Sequence, residues 1–144
     1  MTASGDIKAG DRIVHKVFPP ITRHTLALYC GASGDHNPIH VDIDFAKAAG
    51  FPDVFAHGML VMACLGQALT DVVPPSKLRT FTTRFVSITQ LGAKLTCEGT
   101  VTELFAEDGE DRARLALTTR DDRGELKLDG SAVVALGQQE DSSR

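Results

Sequence analysis

The chain has 144 residues, is 42% hydrophobic and 24% charged, and carries a formal net charge of −4. That length predicts one domain with a single core. The acidic balance gives no basic footprint for nucleic acid, although a local basic patch could still meet a small anion.

Met1 to Asp11 lacks the charged-then-apolar layout of a signal peptide. Nowhere does the chain reach the ~18 apolar residues that a membrane helix needs. Ile13 to Phe18 predicts a short strand that Pro19-Pro20 stops. Thr22 is placed to cap a helix over Arg23 to Ala32. Asp42 or Asp44 caps a second, short helix that runs to Ala49 and ends at Gly50. Gly58 to Val73 is apolar nearly all round, which predicts a buried helix. At roughly 1.5–3 kcal/mol per large side chain, its burial would supply much of the hydrophobic stabilisation. Gly66 within it predicts close packing on a neighbour, and Met59 and Met62 are read as core. Pro74-Pro75 ends the helix.

The period then changes. Arg79 to Thr89 is rich in Thr, Phe, Val and Ile, as strands are. Leu95, Cys97 and Val101 alternate with polar residues, as do Ala113, Leu115 and Leu117. Leu126, Leu128, Ala132, Val134 and Leu136 alternate with Glu125, Lys127, Asp129 and Ser131. This is the pattern of one-sided antiparallel strands in a meander, with turns at Gly92, Gly109 and Gly124. The expected class is α+β, a sheet curled around the apolar helix. Residues 1–137 form the domain and 138–144 a polar tail. Cys30, Cys64 and Cys97 are odd in number and far apart, which predicts buried free thiols in a reducing cytoplasm. No Cys-x-x-Cys pair suggests structural zinc, and no metal or cofactor is expected.

The densest chemistry lies in Ser33-Gly34-Asp35-His36-Asn37-Pro38-Ile39-His40. Gly and Pro punctuate the backbone, so a carboxylate, an amide and two imidazoles sit on a shaped turn. An isolated Asp and His in a turn would be read as a structural hydrogen bond. His36 and His40 share the spacing of helical zinc ligands, but Pro38 holds Asn37 extended and removes the helix that spacing needs. Ser33 invites a hydrolase reading, but the Gly-x-Ser-x-Gly elbow is absent and a local turn hydrogen bond suits it better. His15 and His24 are expected at the surface.

With Ser33-Gly34-Asp35-x-Asn37-Pro38-Ile39-His40 and then His57-Gly58-Met59, the chain resembles the MaoC-like, or hydratase 2, family of (R)-specific enoyl-CoA hydratases and acyl-thioester dehydratases. The likeness covers roughly Gly10 to Leu136, and His36 fills a variable position of the motif as a bystander. The resemblance implies a hot-dog fold, a curved antiparallel sheet wrapped around a central helix. It implies reversible hydration of trans-2-enoyl-CoA to (R)-3-hydroxyacyl-CoA. Asp35 and His40 would be the acid–base pair gripping one water, with the division of roles left open. Asn37 would orient the turn or the water, and His57 would shape its loop. Gly58, at the head of the apolar helix, would offer its N–H to the enolate oxygen. The acyl chain would lie beside that helix, and Lys77, Arg79, Arg84 or Lys94 would meet the coenzyme A phosphates.

Three alternatives stay open. They are a subunit of a heteromeric 3-hydroxyacyl-thioester dehydratase acting on a coenzyme A or acyl carrier protein ester, a hot-dog thioesterase, and a non-catalytic acyl-thioester-binding subunit. Exposed sheet edges predict a homodimer, with a heteromer as the other option.

Overall fold

The computed structural model describes residues 7–137; the expected polar tail, 138–144, lies outside the described residues. Five antiparallel strands form one sheet: β1 (Arg12–Val17), β2 (Leu78–Phe85), β3 (Thr96–Glu107), β4 (Glu110–Arg120) and β5 (Leu126–Ala135). Their order is β1-β3-β4-β5-β2. The predicted meander therefore holds for β3, β4 and β5. The earlier strand β2 instead crosses to pair with β5, and with β1 it forms the two sheet edges.

The alternation read in the sequence is the inward face of this sheet. Leu95, Cys97, Val101, Ala113, Leu115, Leu117, Leu128, Ala132 and Val134 are all buried. They pack with Val61, Leu65, Ala68 and Leu69 from helix α3 (Gly58–Thr70), which crosses that face. This is the hot-dog arrangement of sheet and central helix.

Two expectations need correction. Helix α3 is apolar all round, but within one chain it is buried on one side only; Met59 is 56% exposed. A single curved sheet covers one face of a helix, and nothing among the described residues buries the other. The second concerns Lys127, whose alternation with Leu126 and Leu128 puts it on the solvent side. It is 1% exposed, because the Val86–Gln90 segment and the Asp121 turn close over that face of β5.

Helix α1 (Arg23–Ser33) begins where predicted, with Thr22 Oγ1 accepting from the Thr25 N–H at 3.1 Å. Helix α2 (Ile43–Ala48) is capped by Asp42, whose Oδ1 accepts from the Asp44 and Phe45 N–H groups. Cys30 and Cys97 are buried and Cys64 is half-buried; all three are free. Burial pushes the Cys97 thiol up to about 11 despite the Thr119 hydroxyl beside it, so it stays a protonated thiol at neutral pH. His15 and His24 are exposed, as expected. No helix among the described residues is long and apolar enough to cross a membrane.

Candidate active site

The turn after α1 is built by its own side chains. Gly34 ends the helix at φ 75°, a left-handed conformation that glycine adopts without strain, and its N–H reaches the Cys30 carbonyl. Ser33 Oγ accepts from the Asp35 N–H, Asp35 Oδ1 from the Asn37 N–H, and Asn37 Oδ1 from the Ile39 N–H, at 3.1, 3.2 and 3.1 Å. Each polar residue thus folds the backbone two residues along. Pro38 opens a single 3₁₀ turn, Pro38–His40, which drives the His40 ring inward to 8% exposure. Asp35 spends one oxygen on the turn, which leaves the other outside it, and the residue stays exposed.

His40 Nδ1 lies 2.7 Å from the Phe55 carbonyl oxygen. A carbonyl only accepts, so Nδ1 carries the hydrogen and Nε2 of the neutral ring is a bare acceptor. His57, the last residue before α3, is 1% exposed and stacks on His40 with ring centroids 3.7 Å apart. Its Nε2 sits 3.3 Å from the Asp35 carbonyl oxygen and 3.4 Å from Cys30 Sγ, and Tyr29 packs edge-on against its ring. Burial, then the neighbouring His40, push the His57 pKa below its usual value, against a weaker opposing pull from Asp35. His57 is therefore neutral at pH 7, and its Nδ1 is buried with no protein partner.

The ligand atoms of Asp35, His40 and His57 all fall within 4.8 Å of one another. Asp35, Asn37 and His40 thus share one turn, with Gly58 following directly on His57. Gly58 is the first residue of α3; His57 provides no side-chain cap, so the first-turn N–H groups have no partner from it. A Cβ on Gly58 would stand 3.1 Å from the Phe85 ring. Beside it opens a mainly apolar cavity of about 290 Å³, lined by Phe55, Gly58, Val61, Phe85, Ile88 and Lys127 among others.

The turn and the His-Gly pair were both legible in sequence, and the structure brings them together. His36 is exposed and outside the cluster. Cys30, Tyr29 and the Phe55 carbonyl are additions. The last is a backbone group that no residue type advertises, and Phe55 is signalled only by its place just before His57-Gly58.

The basic candidates separate. Arg79 grips Glu110 through Nε and Nη2 at 2.9 and 2.8 Å and also donates to the Ser76 carbonyl, so its guanidinium is occupied. It stands six residues from Phe85 along β2, about 20 Å at strand rise. Lys77 shares that distant end. Lys94 is exposed just before β3, its N–H held by Asp122. Arg84 precedes Phe85, its side chain 75% exposed with Asp129 as a partner at 3.5 Å.

Comparison with known proteins bears on this geometry. Residues 7–121 match the family model described as "MaoC like domain". The "(R)-specific enoyl-CoA hydratase" of Rhodospirillum rubrum is 30% identical over 135 residues, which is 91% of this chain and 89% of that protein. The "Enoyl-CoA hydratase 2, peroxisomal" of Arabidopsis thaliana is 34% identical over 89 residues, 60% of this chain; the match spans only 27% of that longer protein. Among solved structures, the R-hydratase PhaJ1 from Pseudomonas aeruginosa, unliganded, superposes with a TM-score of 0.82. It is 29% identical and covers 94% of this chain and 86% of its own.

Proposed function

The chain belongs to the MaoC-like domain family, and from that premise we propose that it hydrates trans-2-enoyl-CoA to (R)-3-hydroxyacyl-CoA. The observation that carries this reading is the fixed tautomer of His40. With Nδ1–H held by the Phe55 carbonyl, Nε2 is left as a bare acceptor in a ring whose ligand atom lies within 4.8 Å of those of Asp35 and His57, and we assign it as the base.

The chemistry then follows from charge. Asp35 and His40 Nε2 hold one water between them. As its oxygen bonds to Cβ, Nε2 takes one proton, and the carboxylate of Asp35 supports the resulting imidazolium. Negative charge moves to the thioester oxygen, where the Gly58 N–H at the positive end of α3 meets it. The pair then returns the proton to Cα, completing the addition of one water. Asn37 supports the reaction by holding the turn. The absence of a side chain at Gly58 lets the thioester approach the backbone, and the apolar cavity beside it accepts part of the substrate. Arg84 is the basic residue best placed for the coenzyme A phosphates.

The site needs no metal or cofactor for these steps. We assign residues 1–137 to one domain, a reading supported by a core that runs from Val14 to Val134. Three free thiols favour a reducing compartment, the cytoplasm.

A homodimer is proposed as the working unit. Met59, Phe85, Val86 and Ile88 are exposed around the head of α3 and the end of edge strand β2, an apolar surface at a sheet edge that a second copy would cover. Light scattering checks it, and a monomer would count against it. A dehydratase subunit is the second reading, favoured by this same uncovered face, which a different chain could cover.

The deciding assay follows the loss of conjugated thioester absorbance with the purified chain and a panel of trans-2-enoyl-CoA esters. Turnover with (R)-3-hydroxy product is expected. No turnover with any ester rejects hydration by this chain alone, and thiol release from saturated acyl-CoA would favour the thioesterase instead.

A further inference from the structure

Lys127 is the largest fully enclosed side chain among the described residues; it borders the apolar cavity, but no chemical step above uses it. Its Nζ donates to the Ile88 carbonyl at 2.7 Å and to Glu125 Oε1 at 2.6 Å, and stands 3.6 Å from Asp121 Oδ2. Asp121 is enclosed as well. Burial works against its carboxylate, but hydrogen bonds from Gln90 and from the Glu125 and Arg123 N–H groups, with Lys127 nearby, hold its pKa below the usual range. A buried ion pair of this kind rarely adds more stability than apolar residues of similar volume, so stability alone does not account for it.

What the pair does is visible in the bonds around it. The irregular segment 86–90 lies against the start of β5 and is tied there repeatedly. The Val86 N–H donates to the Lys127 carbonyl, Ser87 Oγ to the Leu126 carbonyl, Lys127 Nζ to the Ile88 carbonyl, and Gln90 Nε2 to Asp121. The other side of the same segment carries the loop before α3. The Ala56 N–H donates to the Thr89 carbonyl at 2.9 Å, and Phe55 forms a bridge with Gln90. Phe55 then supplies the carbonyl that receives His40 Nδ1–H, and Ala56 leads directly into His57 and Gly58.

We propose that Lys127, with Asp121, is a positioning residue for the active site: it fixes segment 86–90, and through it the Phe55 carbonyl that sets the tautomer of His40. A lysine suits the task because its ammonium has several donors on one atom, so one side chain can join a backbone carbonyl on one segment to carboxylates on another. The activity arm rests on the proposed hydration; the tautomer arm does not.

The test reads the imidazole nitrogens of His40 by long-range ¹H–¹⁵N NMR, assigned by their loss in His40→Ala. The wild-type protein is expected to show one tautomer, protonated at Nδ1 and bare at Nε2; a tautomer mixture there overturns the proposal. In Lys127→Met the His40 signal is expected to become a tautomer mixture, and kcat to fall about 10- to 100-fold with KM little changed, as for a small misplacement of a catalytic group. Because Lys127→Met leaves a buried carboxylate unpaired, Lys127→Met/Asp121→Asn provides a variant with no buried charge, still able to bond Gln90. The folded double variant is expected to keep the tautomer mixture and the low kcat. A wild-type tautomer and kcat in it overturn the proposal, and so does failure of both variants to fold, which makes the pair a folding element only. A protein that hydrates no ester but shows the NMR pattern defeats the hydratase reading and leaves the positioning role standing.

Discussion

The two ends of β2 treat polar groups in opposite ways. At the Leu78 end, Arg79 meets Glu110 with two nitrogens, and Arg112 reaches Glu110 and Glu107 at 2.8 and 3.0 Å. Both guanidinium groups are spent on fixed partners. At the Phe85 end, the ring covers Gly58, whose helix starts without a side-chain cap, and His57 Nδ1 is enclosed without a partner. His40 Nε2 and one oxygen of Asp35 are likewise left over by the turn. Saturated charge clamps the fold; unfilled hydrogen-bonding capacity gathers where a substrate would complete it.

The contrast breaks first at the proposed acid–base pair. Asp35→Asn and His40→Ala are each expected to lower kcat for enoyl-CoA hydration by about 10²–10⁴-fold, the range that positioned acid–base groups supply. Thermal melting should move little for Asp35→Asn, because Asn keeps the acceptor that receives the Asn37 N–H. Full activity in both folded variants would return the turn to the saturated, structural class.

Next in size is Gly58→Ala. The new methyl would stand 3.1 Å from the Phe85 ring, so the ring must shift and the thioester loses its close approach to the N–H. A loss of about 10- to 100-fold in kcat/KM is expected by steady-state assay, again the scale of a modest misplacement. Unchanged kinetics would take the head of α3 out of the reaction.

Legibility in the sequence follows the same division. Strand alternation was readable because side chains repeat every two residues, so Leu95, Cys97, Leu115 and Leu117 had to share a face. Thr22 was readable as a cap, and Asp42 as one of two choices with Asp44, because such oxygens serve N–H groups two or three residues on. Within the site, Asp35, Asn37, His40 and Gly58 stood out through residue type and motif. Long-range approach was not readable. The Phe55 carbonyl would be supplied by any residue, and Lys127 has a period that points outward. Only the arrival of Ile88, Asp121 and Glu125 around it makes that face an interior. Helix α3 shows the same limit, since composition states that it is apolar but not how much of it one chain covers.

The saturated end is tested by acid. Arg79, then Arg112, lower the Glu110 pKa from 4.5 to about 2. The folded chain therefore binds that proton less readily than the unfolded chain does. The stabilisation is fully present above pH 4.5 and is lost as pH falls through about 2. Glu110→Gln is expected to flatten the fall in melting temperature across that window and to leave hydration kinetics at neutral pH unchanged. A modest effect is expected, since the pair is only partly shielded from water. An identical acid profile in the variant would show that the clamp contributes nothing to stability.

The smallest expected effect is none. Asp35, His40 and His57 come within 4.8 Å of one another, and such a trio invites a metal reading. Zinc held at its usual ~2.0–2.1 Å from nitrogen would draw tetrahedral ligand atoms to about 3.4 Å of one another. His57 Nε2 already faces the Asp35 carbonyl and Cys30 Sγ, and His40 Nδ1 is committed to Phe55. Gathering the three residues around an ion would pull the His57 ring away from the Asp35 carbonyl and Cys30. Dialysis against a strong chelator should therefore leave the hydration rate at its starting value. A rate that falls on chelation and returns with added metal would mean that the open valences at this end of β2 await an ion instead of a water.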